Sequence, residues 1–213
     1  MEKFPTTQRT EISRLAKRGS YDRETIYAIL DEALFVTLAY VNGAEPFQIP
    51  TGHCRIGDSI YIHGSVGSGY LRFLAEAKAP VSISATLIDG LVLARSAFHH
   101  SVNYRSVVLF SHAQRVTDPV EMYQALETFT NKIQPGRWDD IRKPDDGEWK
   151  ATMVLKFVIE EASAKIRTGG PKDDEPDYKL PIWAGVVPLQ NERKCPVPDT
   201  LLDKNVQLPD YLT

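Results

Sequence analysis

Cysteine is scarce in this chain: two among 213 residues, Cys54 and Cys195, far apart and not in Cys-x-x-Cys spacing. That excludes a disulfide-stapled scaffold and a zinc knuckle, and it fits a reducing, cytoplasmic compartment. Also missing is any apolar run approaching the ~20 residues that span a bilayer. The first residues, Met1 to Arg18, are polar and mixed in charge, without the apolar core of a signal peptide, so no membrane partner is expected. No block of five like charges occurs, and 25 basic against 28 acidic residues leave a net charge of −3. A nucleic-acid-coating surface would need a basic stripe, so no nucleic acid is expected as a partner. There is no Gly-Lys-Ser/Thr of a Walker loop, no dinucleotide fingerprint and no Gly-x-Ser-x-Gly elbow. Internal repeats and low-complexity tracts are absent as well.

What remains has the composition of an ordinary globular domain, with enough length for one full core. Tyr21 to Ala33 reads as a helix, with Asp22 as N-cap and Ile26, Ile29, Leu30 and Ala33 on one face. The period then changes to a β-branched and aromatic run, Leu34 to Val41. Asn42-Gly43 follows it, a strong hairpin signal before a return strand from Phe47 to Ile56. Gly57-Asp58 turns into a strand ending at His63, and Tyr70 to Ala77 reads as a short helix. Pro80 opens a strand of alternating Ser82, Ser84, Thr86 and Ile83, Ala85, Leu87, and Asp89-Gly90 is expected to turn it. Arg105 to Val116 is strand-like, Asp118-Pro119 opens a helix, and Ala151 to Ile166 reads as one long strand. Strands joined by tight turns, without regular helix alternation, predict an α+β chain that is mainly antiparallel β. We divide it into an arm over 1–20, one domain over 21–190 and a tail over 191–213.

Chemistry concentrates in two places. His63-Gly64-Ser65-Val66-Gly67-Ser68-Gly69 is a small-residue loop between a strand and a helix start, where free backbone N–H groups would face an anion. Such a loop can equally be a plain turn. Ala94 to Ser106 packs two arginines, two histidines and several hydroxyls between strands. Adjacent His99 and His100 point apart on a strand and cannot chelate one ion together, so no metal site is expected. Cys54 reads as a small buried hydrophobe rather than a nucleophile. Trp183, in a Pro/Gly-bounded loop, suits either a core or a lid over a planar ligand.

Taken in order, six motifs resemble one family. They are His63-Gly64-Ser65 to Ser68; Asp89-Gly90-Leu91-Val92-Leu93-Ala94-Arg95-Ser96; Asn103-Tyr104-Arg105-Ser106-Val107; Pro135-Gly136-Arg137-Trp138; Lys165-Ile166-Arg167-Thr168-Gly169-Gly170-Pro171; and Trp183-Ala184-Gly185. Together they resemble the flavin-nucleotide-binding branch of the pyridoxamine 5′-phosphate oxidase-like proteins, from about Arg9 to Leu189. The resemblance implies a split β-barrel with flanking helices, working as a homodimer with FMN at the subunit interface. It implies the flavin phosphate near Gly64, Ser65 and Ser68. Ring contacts fall around Thr51, His53 and His63, with Tyr104, Arg105 and Ser106 reaching the flavin across the dimer. Arg167 and Trp183 close the site.

Two departures from the family pattern stand out. Gly69-Tyr70 occupies the place of the usual basic residue after the loop serine, so Arg72 or Arg105 must compensate. The C-terminus lacks the arginine that true pyridoxamine 5′-phosphate oxidases use on substrate, which leaves the vitamin B6 reaction unsupported. The function read from the resemblance is an FMN-dependent oxidoreductase, with NAD(P)H as an electron donor and an unidentified small molecule as substrate. A non-catalytic flavin binder or redox sensor is the alternative. A haem-binding relative of the same barrel, with His99 or His112 as axial ligand, is another.

Overall fold

The computed structural model describes residues 2–212; Met1 and Thr213, at the ends of the expected arm and tail, lie outside them. In chain order the elements are β1 (Gly19–Ser20), α1 (Arg23–Glu32), β2 (Phe35–Asn42), β3 (Glu45–Gly52), β4 (Cys54–Ile56), β5 (Ser59–Ser65), α2 (Gly69–Ala77), β6 (Pro80–Leu93), β7 (Ser101–Arg115), α3 (Pro119–Ile133), α4 (Arg137–Asp140), α5 (Asp146–Ala151), β8 (Thr152–Val158), β9 (Glu161–Arg167) and β10 (Gly185–Pro188). All strand pairs are antiparallel. One edge of β7 pairs with β6 from Ser101 to His112. Its other edge is shared: Tyr104 to Phe110 pairs with β9, while Ala113 to Arg115 pairs with β8. The sheet divides there, with β3, β2, β6, β7, β9 and β1 on one branch and β8, β5 and β4 on the other. This is the expected α+β split β-barrel.

Local chemistry explains most boundaries. Asp22 caps α1 by accepting from the Thr25 backbone N–H at 3.0 Å, and Asp118 caps α3 by accepting from Val120 and Glu121. Ile26, Ile29 and Leu30 of α1 are buried against the sheet, in a core with Leu38, Ile60, Ile62, Leu71, Leu74, Ile83, Leu109, Leu155 and Phe157. A smaller cluster of Cys54, Tyr61, Val116, Ala125 and Val154 lies under α3. Cys54 is a buried hydrophobe, as expected, and its thiol is pushed up to about 12 by burial.

The structure corrects several expected elements. Asp89-Gly90 is not a turn. It is a bulge inside a continuous β6, where the register with β7 shifts between Ile88 and Gly90. The reason lies far along the chain. β10 pairs with residues 90–93, and a Cβ on Gly90 would sit 3.1 Å from the Val187 carbonyl oxygen, a crowded contact that glycine avoids. The return strand breaks at His53 into β3 and β4, because His53 turns into the interior. The long strand expected at 151–166 is two strands, β8 and β9, and α4, α5 and β10 are additional. The N-terminal segment is anchored through buried Phe4 and through Thr7 and Arg9 on Glu161.

Candidate functional site

The loop from Gly64 to Gly69 leaves β5 and enters α2. A Cβ on Gly64 would lie 2.8 Å from Leu71 Cδ1, so the helix packs onto the strand end only because that residue is glycine. The loop is braced from within: Val66 N donates to Ala151 O, Ser68 N to Ser65 O, and Gly67 N to the Ser65 hydroxyl. Ser68 is the N-cap of α2, yet its side chain makes no capping bond. A serine normally places its hydroxyl on the N2 or N3 amide. Here that hydroxyl and the first amides of the helix are left for another acceptor. Arg72, one turn in, is exposed and has no ion-pair partner among the described residues. Nearby, Thr51 at the end of β3 influences Tyr70 of α2, whose pKa is raised chiefly by burial. His63 packs edge-on against Phe129, ring centroids 4.4 Å apart, and burial lowers its pKa. Thr51, His63, Gly64, Ser65, Ser68 and Arg72 therefore gather at one end of the barrel.

A second group lies on β7 and β9. Tyr104 is in register with Arg167, and Ser106 with Lys165. Ser106 donates to the Lys165 carbonyl at 3.2 Å and lines a trough of about 300 Å³ with Val108, Ser163, Lys165 and the N-terminal segment. Arg167 is buried and donates to Asn103 Oδ1, Gly169 O and Gly170 O. Among the described residues, no side-chain hydrogen bond or ion pair joins this group to the loop group.

Arg105 stands apart from both. It donates to both oxygens of Asp89 at 3.0 and 2.8 Å and to both oxygens of Glu32. The two carboxylates raise its pKa, Glu32 contributing more than Asp89. A guanidinium already neutralised by two carboxylates has little charge to offer a phosphate, so Arg72 is the cation placed to serve the loop. Arg105 instead lines a cleft of about 910 Å³ between the end of α1, β6 and residues 189–193.

His53 is fully buried and lies away from any open surface. Its Nε2 is 2.9 Å from Leu30 O and 3.0 Å from Lys132 Nζ, and Lys132 also donates to Leu30 O. Burial first, and the Lys132 charge second, lower the His53 pKa to about 4. Within one chain, His53 is thus a tie between α1 and α3 rather than a ring contact. Trp183 packs on Gly185 ahead of β10 and is two-thirds exposed. Sequence reasoning missed the Arg105–Glu32–Asp89 triad, Lys132 and the pairing of Arg95 with Asp173. Their partners lie 16 to 102 residues apart, and no spacing rule signals that.

A family model described as pyridoxamine 5′-phosphate oxidase matches residues 22–166. The chain is similar to the flavocytochrome Anf3 from Azotobacter vinelandii, with 36% identity, 97% of this chain and 95% of that one covered, and a TM-score of 0.89. It is also similar to an FAD and heme binding protein from Mycobacterium smegmatis, with 36% identity, coverages of 91% and 95%, and a TM-score of 0.86. No curated protein matches the chain.

Proposed function

The chain belongs to the pyridoxamine 5′-phosphate oxidase family, and we propose that it is a flavin-dependent oxidoreductase acting as a homodimer. The observation that carries this reading is the unengaged N-cap Ser68 at the start of α2, with Gly64, Ser65 and Arg72 around it. Hydroxyl, free amides and one exposed guanidinium are the donor set that a flavin phosphate requires. The two related structures are described as a flavocytochrome and as an FAD and heme binding protein. A bound flavin supplies hydride or one-electron chemistry, and the protein supplies position and electrostatics. His63, held neutral by burial, would face the ring as a hydrogen-bonding group rather than a cation. The loop serves the phosphate of FMN, the form expected from sequence, and of FAD alike. A second copy would bring Tyr104, Ser106 and Trp183 to that loop, and NAD(P)H is the donor class we assign.

Equilibrium titration of wild type and Ser68→Asp with FMN and riboflavin tests the site. A hydrogen bond to a charged group contributes about 1.5–3 kcal/mol, so FMN should weaken about tenfold to a hundredfold. Riboflavin, lacking the phosphate, should weaken far less. Equal weakening of both, or none, would make the loop a turn.

A second reading, a haem held beside the flavin, is favoured by His100. Its Nδ1 is 2.9 Å from the Ser96 carbonyl, which fixes the tautomer and turns an exposed Nε2 lone pair outward, the arrangement common in metal-ligating histidines. His99, the sequence candidate, instead faces Asp174 at 3.3 Å, and His112 is exposed near the end of β7. Haemin added to wild type should give a shifted, sharpened Soret band that His100→Ala loses. An unchanged spectrum in that variant would remove His100 as ligand.

A further inference from the structure

Lysine is seldom drawn into a protein interior, and one that is normally has a carboxylate beside it. Lys132 has none. It sits half-buried on the last turn of α3, and its Nζ has two partners, Leu30 O at 2.8 Å and His53 Nε2 at 3.0 Å. Among the described residues, no carboxylate forms an ion pair with it. Asp31, which lines the same cavities, is held through both oxygens by Arg55 at 2.9 and 2.5 Å. An ammonium carries three N–H groups, and the protein offers this one two acceptors at most, so a neutral amine suits the place better. Burial lowers the Lys132 pKa to about 8, against an upward pull from Asp31 and Cys54 and with a smaller downward push from Arg55.

The amine is also within reach of a ligand. Lys132 lines the cleft of about 910 Å³ and a second cavity of about 310 Å³ that it shares with Cys54, Arg55 and Thr128. The walls of the larger cleft say what could approach. Asp31, Glu32, Asp89 and Glu192 outnumber Arg105 and Arg193 there, which disfavours an anion. Leu34, Leu87 and Leu189 give the cleft an apolar flank, and Leu34 and Leu189 are 55% and 42% exposed.

We propose that Lys132 is a nucleophilic amine that holds uncharged, apolar aldehydes in this cleft covalently, as an imine. A desolvated lysine attacks carbonyl carbons because its lone pair is not occupied by a proton. The Nζ lone pair forms a bond to the aldehyde carbon, and one N–H proton passes to the oxygen, giving a carbinolamine. Loss of that hydroxyl with the second N–H proton, as water, leaves a C=N bond. No electron is gained or lost, so the step needs no oxidant and stands apart from the flavin reading.

The test incubates the protein as isolated with hexanal, or with glyoxylate in parallel, and with cyanoborohydride to trap imines as secondary amines. Peptide mass mapping then gives the modification rate of each lysine. At pH 7 a far larger share of this amine than of an ordinary lysine is unprotonated, so hexanal should label Lys132 about tenfold or more faster than any exposed lysine. The Lys132 rate should reach half its maximum near pH 8, while exposed lysines keep accelerating above it. Glyoxylate, an anion, should show no such preference. Lys132→Arg cannot form an imine and should lose that one adduct while keeping the rest; the wild-type map decides even if this variant does not fold. Hexanal spread evenly over the lysines would overturn the proposal. Glyoxylate favouring Lys132 as strongly as hexanal would overturn the choice of apolar aldehydes.

Discussion

Gly64 and Ser68 carry opposite lessons about single residues. Gly64 is required by packing, since Leu71 is 1% exposed and cannot withdraw from an added Cβ. Gly64→Ala should cost about 1–3 kcal/mol, as overpacked sites do, seen as a lower urea midpoint with an unchanged m-value. Ser68 is required by nothing in the chain, so its loss should be silent in stability and visible only in ligand affinity. His53 belongs to the first kind. Its folded pKa of about 4 lies below the ordinary 6.5. Between those values the unfolded chain binds the more protons, so stability is full above pH 6.5 and falls as pH drops toward 4. The loss is on the order of 3 kcal/mol. Urea midpoints of wild type should fall across that window, and those of His53→Gln should fall less. A flat wild-type profile would mean that the imidazole is protonated in the fold at no cost.

At the scale of elements, α3 joins the smaller core cluster to the His53–Lys132 tie, and its cap is a single side chain. Asp118→Ala removes the acceptor for two amides and should cost about 1 kcal/mol, measurable as a lower thermal midpoint. Elements whose determinants are local were legible in the sequence. Asp22 and Asp118 marked the starts of α1 and α3, and the turn after β2 fell at Gly43, where φ is 64°. Where a distant strand decides, the sequence was silent. Asp89-Gly90 has turn chemistry, yet β10 arrives from nearly a hundred residues on and makes it a bulge. The alternation of Ser82, Ser84 and Thr86 announced β6 but not its length. The candidate site divides the same way. The loop at Gly64 to Ser68 shows itself as a run of small residues before a helix. The pairing of β1 with β9, which sets Gly19 against Lys165, is invisible, because about 145 residues separate the two strands.

At the scale of the whole molecule, apolar side chains stand unburied on the outer face of the sheet: Phe35 and Val41 on β2, Ile88 on β6 and Val108 on β7. Exposed apolar side chains on a sheet face suit a partner-binding surface, and a two-fold copy is the commonest partner. Sedimentation should give a dimer, and Val108→Glu should weaken it; a wild-type monomer with full flavin affinity would contradict the shared site. No helix among the described residues is long and apolar enough to cross a membrane. The central claim is that this fold carries a flavin, and it is tested most directly by the ligand the protein holds when isolated. Spectrum and mass of the material released on denaturation should identify one flavin nucleotide per chain. A colourless protein that releases none, and takes up neither FMN nor FAD when they are added, would contradict it.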